Sequence, residues 1–132
     1  MYNIKEFKKG IPYPFLKTFP INTKDSWQDS IQLLLDGPLD SSEKGPIGII
    51  AIGKLIEDEN LKIFSDTLRK LLNNRELIVS SNIITTRNCI KTILLVSPGT
   101  CTRNELQSIK EELNIIKSPI VGWAVLDPGF NI

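Results

Sequence analysis

Gly48 stands five residues before Gly53, and Lys54 follows, which gives a formal G-x-x-x-x-G-K spacing. In a phosphate-binding loop that spacing lets successive backbone N–H groups surround phosphate oxygens. The lysine balances their charge, and a following Ser or Thr holds Mg²⁺. Here Leu55 takes the hydroxyl position, and Ile49 to Ile52 read as strand rather than loop. The plainer expectation is a strand end followed by an exposed Lys54. Pro98-Gly99-Thr100 is a second candidate, because it precedes a helix and free amides at a helix N-terminus attract anions. Thr100, Thr102 and Arg103 stand close enough in sequence to assist, although a strand-to-helix turn with a capping threonine needs the same residues. Asp127 closes a strand and is the best isolated acid, yet an Asp there ordinarily starts a turn. Cys101, near the same helix start, is a candidate for a lowered thiol pKa. Asp58-Glu59 and Glu111-Glu112 form no acid–base dyad: the first pair suits a helix first turn, and adjacent residues on a helix diverge.

The absences narrow the chemistry further. The 132 residues include no histidine, so Ser-His-Asp and Cys-His catalysis cannot be built within the chain. Cys89 and Cys101 are the only cysteines, too few for a Cys₄ or Cys₂His₂ zinc site. A disulfide between them is the alternative to the plainer expectation, two reduced thiols in a cytosolic protein. No metal, cofactor or catalytic residue is expected, and the balance leans against an enzyme. Sixteen basic and fifteen acidic side chains give a net charge of +1. A dedicated nucleic-acid binder ordinarily carries a basic excess, so no nucleic-acid partner is expected. The longest apolar run, Ile47 to Gly53, is far short of the roughly 20 residues that span a bilayer. The N-terminus has charge but no apolar core of a secretory signal. A cytoplasmic protein without a transmembrane segment is expected.

The elements that must position these residues follow from periodicity. Residues 1–25 carry Gly10, Pro12, Pro14 and Pro20, which rule out a long helix. An extended Pro-rich arm is expected there, docking Tyr13, Phe15, Leu16, Phe19 and Ile21 on the body of the same chain or on another subunit. Residues 26–132 form a single α/β domain. Ser26, with Asp29 three residues on, is placed to cap a helix whose face carries Trp27, Ile31, Leu34 and Leu35. A polar loop follows over residues 37–46. The isoleucine-rich run from Ile47 reads as a strand buried on both faces. A helix from Asp58 to Asn74 carries Leu61, Phe64, Leu68, Leu71 and Leu72 as its apolar stripe. Further strands are predicted over 76–80, 91–96 and 120–126. A short helix or turn over 82–90 and a helix from Thr102 to about Lys117 separate them. Thr102 and Glu105 make a capping box at the start of the latter.

Strands alternating with helices imply right-handed crossovers. The fold class is therefore α/β: a three-layer, mainly parallel sheet of about four strands with helices on both faces, P-loop-like or Rossmann-like. In such sheets ligands gather at the carboxyl ends of the strands. That rule draws Lys54, Ser81, Gly99, Thr100, Thr102, Arg103 and Asp127 toward one edge as the candidate ligand- or partner-binding set.

Once placed on these elements, the stretch Thr92 to Asp127 resembles the closing part of bacterial polysaccharide-biosynthesis tyrosine autokinases and their MinD/ParA-like relatives. There a strand ending in V-x-x-G is followed by T-x-R-x-x-L, a helix, and a strand with I-x-G-x-V-L-N. The matching residues here are Val96 and Gly99, Thr102 or Thr100 with Arg103 and Leu106, and Val121-Gly122 through Leu126. The segment DSWQDSIQLLLDG is also similar to the helix before the phosphate-binding loop in that family. The chain departs from the pattern at Leu55, at Ser80-Ser81 where an acidic Walker-B residue belongs, and at Asp127 in place of Asn. Tyr2 and Tyr13 are both N-terminal, so no tyrosine cluster closes the chain. The resemblance implies a degenerate, non-catalytic relative that regulates or scaffolds an envelope-polysaccharide apparatus through a protein partner or self-association. The alternative is a small enzyme or binder of an anionic small molecule or nucleotide at the strand-end loops.

Overall fold

The run Ile47–Ala51 forms strand β2, buried at every position. A strand without a polar face needs cover on both sides, and the rest of the chain supplies it. The protein, seen here as a computed structural model, is described over residues 13–20, 25–40, 45–72, 75–97, 102–115 and 119–127. Five strands build one sheet in the order β1-β5-β4-β2-β3. They are β1 (Phe15–Pro20), β2, β3 (Leu77–Ser80), β4 (Lys91–Val96) and β5 (Ile120–Asp127). Every pairing is parallel. Three helices cover the sheet: α1 (Trp27–Asp36), α2 (Glu59–Leu72) and α3 (Arg103–Ile115). Among the described residues, no helix is long and apolar enough to cross a membrane.

Alternation along the strands divides the core into two halves. Ile49, Ala51, Ile93, Leu95, Ala124 and Leu126 pack beneath α1 and α2. Ile50, Ile52, Leu94, Val96, Trp123 and Val125 pack on the other face, against Ile83 and the α3 residues Ile109 and Leu113. The three layers expected from the sequence are therefore present. One extra residue in β5, between the pairs Thr92–Ile120 and Ile93–Gly122, breaks the alternation. This bulge turns Ile120 to the α3 side, away from the face its spacing from Ala124 implies.

The sheet has five strands where about four were expected. The additional strand, β1, comes from the Pro-rich arm and pairs in parallel with β5 at the sheet edge. Prolines disguise it in the sequence, yet an edge strand tolerates them because one side of its backbone bonds no neighbour. The helix starts also differ in detail. Ser26 takes a helical conformation and its side chain makes no capping hydrogen bond. Asp58 lies just ahead of α2, and its carboxylate accepts from the Asn60 N–H at 2.7 Å. The capping box of α3 forms as read: the Thr102 hydroxyl accepts from the Glu105 N–H at 3.1 Å, and the Glu105 carboxylate accepts from the Thr102 N–H at 3.0 Å.

Gly48 shows how tightly the centre is packed. A Cβ at this position would lie 2.7 Å from Thr92 Oγ1, 3.0 Å from Cys89 Sγ and 3.1 Å from Thr86 Cβ. Thr86 and Thr92 are themselves fully buried, so the added methyl meets side chains with no room to retreat. Overpacking of this kind costs about 1–3 kcal/mol. Gly48→Ala is accordingly expected to lower the urea midpoint while leaving the slope of the transition unchanged.

Candidate functional site

The sheet order reverses beside β2. From β2 the chain passes outward to β3, then returns across β2 to β4 and continues to β5. In open parallel sheets such a reversal leaves a crevice at the carboxyl ends of the strands, because successive crossovers depart to opposite sides. An open cleft of about 620 Å³ lies at this edge. Its size falls within the roughly 300–1,000 Å³ of small-molecule sites. Gly53, just after β2, borders it, as do Ser81, Asn82 and Ile84 from the segment after β3. The opposite wall is α3, through Asn104, Glu105, Ser108, Ile109 and Glu112.

Local sequence explains each wall. Gly53 has φ 69°, a left-handed conformation that glycine adopts without the steric cost other residues bear. It turns the chain out of β2 into a 3₁₀ turn, Gly53–Glu57. After β3, the Ser80 hydroxyl accepts from the Asn82 N–H at 3.0 Å. The Asn82 side chain then accepts from the Ile84 N–H at 3.0 Å and caps a second 3₁₀ turn, Ile83–Thr86. Ile83 and Thr86 point into the core, whereas Ile84 stays 52% exposed. On α3, Ile109 and Leu113 are buried against the sheet, which leaves Asn104, Ser108 and Glu112 exposed at the cleft. Glu105 borders the cleft, and one oxygen of its carboxylate is held in the capping box.

The residues singled out from sequence are distributed unevenly around this edge. Ser81 lines the cleft. Thr102 caps the helix that forms its wall, and Arg103 is the first residue of that helix. Lys54 is exposed in the turn beginning at Gly53 but is not among the lining residues. Asp127 is half-buried at the end of β5, paired with Pro20 of β1, on the far side of β4 from the cleft. Gly99, Thr100 and Cys101 lie outside the described residues. Asn82 lies in the strand-end loop Ser80-Ser81-Asn82 that the topology rule points to, and it lines the cleft, whereas Ile84, Asn104, Ser108 and Glu112 are lining residues outside the candidate set. The signal available for the last three was their position on the polar face of an amphipathic helix, which marks solvent as readily as a site.

The arrangement constrains the chemistry. Gly48 to Ala51 of the formal phosphate-loop spacing fall on β2 itself, which pairs with β3 on one side and β4 on the other, while Gly53 and Lys54 lie in the turn after it. The β2 amides therefore serve the sheet ladders, and the Ile52 N–H also donates to the Leu95 carbonyl at 3.1 Å. A phosphate cradle needs those groups free. Cys89 is a free, buried thiol, and burial raises its pKa above the usual value. At neutral pH it is protonated and a poor nucleophile. Among the described residues, no group of three or more Cys, Asp or Glu is placed to hold a metal ion. The described lining instead combines two hydroxyls, two carboxamides, two carboxylates and two isoleucines, with no Lys or Arg. Comparison of the chain with protein-family models, with curated proteins and with solved structures finds no match.

Proposed function

We propose that this protein is a non-catalytic binding module whose strand-end cleft receives the ligand or partner through which it regulates or scaffolds a larger apparatus. One observation carries this proposal: an open polar cleft lies at the switch point, while Gly48 to Ile52 of the neighbouring phosphate-loop spacing are committed to the sheet. Among the described residues, the site keeps the place where α/β proteins bind without the device that activates a nucleotide phosphate. Leu55, buried in the position of the metal-binding hydroxyl, supports the same conclusion. The resemblance of Thr92 to Asp127 to polysaccharide-biosynthesis tyrosine autokinases supports a place beside an envelope-polysaccharide apparatus, as a relative that has lost kinase chemistry.

Calorimetry with Mg²⁺-ATP, Mg²⁺-GTP and nucleotide sugars, combined with a phosphate-release assay, tests the non-catalytic half. No Mg²⁺-dependent binding and no hydrolysis are expected. Tight Mg²⁺-ATP binding lost in Lys54→Ala overturns it. The location is tested separately by following backbone amide resonances during titration with a panel of sugars, amines, phosphates and nucleotides. Any binder is expected to shift residues near Gly53, 81–84 and 104–112, and saturable shifts centred elsewhere move the site.

A further inference from the structure

The composition of the cleft narrows what it takes. We infer that its ligand is an uncharged, hydroxyl-rich molecule of one or two sugar rings, an inference that rests on the cleft being the binding site. A sugar offers adjacent hydroxyls that donate and accept in pairs, and an apolar C–H face. The described lining answers both. Glu112 and the second oxygen of Glu105 are acceptors for neighbouring hydroxyls, and hydrogen bonds to ionised groups are the stronger kind. The Ser81 and Ser108 hydroxyls donate or accept as required, and the Asn82 NH₂ remains a donor after its oxygen has capped the following turn.

Ile84 supplies the apolar surface. It is one of three large hydrophobic residues exposed among the described residues, and the only one of the three that lines the cleft. Its exposure is fixed by the turn: Ile83 on one side is buried, Thr86 beyond it is buried, and Asn82 holds the Ile84 N–H. An isoleucine presented in this way beside hydroxyls and carboxylates suits a ligand with both apolar and polar faces. The described lining carries two carboxylates and no Lys or Arg, which disfavours an anion. Glu105 and Glu112 are seven residues apart on α3, about 10 Å along the helix at 1.5 Å per residue. A phosphate lying between them meets a like charge at either end.

The test follows backbone amide shifts of isotope-labelled full-length protein titrated into the millimolar range with glucose, N-acetylglucosamine and maltose. Inorganic phosphate and spermidine serve as charged comparisons. Saturable shifts at residues 81–84 and 104–112 with at least one sugar are expected. Glu112→Gln is expected to weaken that binding about tenfold, as loss of a charged acceptor does, and Ser108→Trp to abolish it by filling the cleft. Both residues are exposed, and an unchanged melting temperature establishes that each variant folds. If Ser108→Trp unfolds, Ile84→Asp takes its place and is expected to remove sugar binding. Shifts in the cleft with phosphate or spermidine but with no sugar overturn the sugar inference and leave the cleft as the binding site. Sugar shifts centred outside the cleft overturn both. No shift with any sugar overturns the inference.

Discussion

Phe64→Ala is expected to cost about 3–5 kcal/mol, the range for truncating a large aromatic in a packed core. Phe64, Phe19 and Trp27 are all buried and meet edge to face. The ring centroids lie 5.0 Å apart for Phe19–Phe64, 6.0 Å for Phe19–Trp27 and 6.1 Å for Trp27–Phe64. The three rings come from β1, α1 and α2, so one side chain joins three elements that share little sequence-local contact. Removing it leaves a cavity bounded by two rigid rings, which collapse poorly. With a total stability of about 5–15 kcal/mol for a domain, the loss is a large share. A fall in melting temperature of roughly 10–20 °C is expected, read by circular dichroism. Phe64→Leu, which fills much of the volume, is expected to recover more than half of it. A fall of only a few degrees for Phe64→Ala shows that the rings repack and that this half of the core is loosely specified.

Much of that core was legible because helical spacing is a strong signal. Of the stripe Leu61, Phe64, Leu68, Leu71 and Leu72, all are buried except Leu71, which is partly buried against the same core, and the apolar run from Ile47 forms the strand covered on both faces that it was read as. The capping box at Thr102 was legible because the two partners sit at a fixed offset in one turn. Other features depend on partners distant in sequence. Leu39 lies in a segment that reads as polar loop, yet it is fully buried among the residues of α1 and α2. Its amide donates to the Leu34 carbonyl at 2.8 Å, which folds it back under the end of α1. The side on which Ile120 packs depends on a bulge that no pattern in β5 announces.

The site was legible as an edge and not as a set of residues. Parallel topology brings all strand ends to one edge, and that much follows from alternating elements. Which loops meet there depends on strand order. The reversal beside β2 gives the cleft to the segment after β3 and to α3, while Asp127 goes with β5 to the opposite side. Charged residues attract attention in a sequence, which favoured Lys54, Arg103 and Asp127. The described lining is mostly uncharged, and side chains such as Asn104 and Ser108 are indistinguishable by type from any solvated helix face.

Trp123→Ala is expected to be as costly as Phe64→Ala, with a different signature, because Trp123 holds the arm to the sheet. Its indole is buried, and the Nε1–H donates to the Tyr13 carbonyl at 3.0 Å while its backbone N–H donates to the Pro14 carbonyl at 3.0 Å. Its ring meets Phe15 edge to face at 4.8 Å. The other end of β1 is held the same way, since the Trp27 indole donates to the Pro20 carbonyl at 2.9 Å. Between these two attachments, Leu16 lies over Gly122, where a Cβ would come within 2.6 Å of it. Truncating Trp123 removes a large core side chain, about 3–5 kcal/mol, and leaves the Tyr13 carbonyl without its donor. The loss is expected to fall first on the edge strand, which has one neighbour, rather than on β2 with two. Hydrogen exchange should therefore show residues 15–20 losing protection well before residues 47–51. Trp123→Phe keeps an aromatic ring but not the N–H, and is expected to cost about 1–3 kcal/mol for the unpaired carbonyl. Uniform loss of protection across β1 and β2 in Trp123→Ala shows instead that the arm and the central sheet unfold as one cooperative unit.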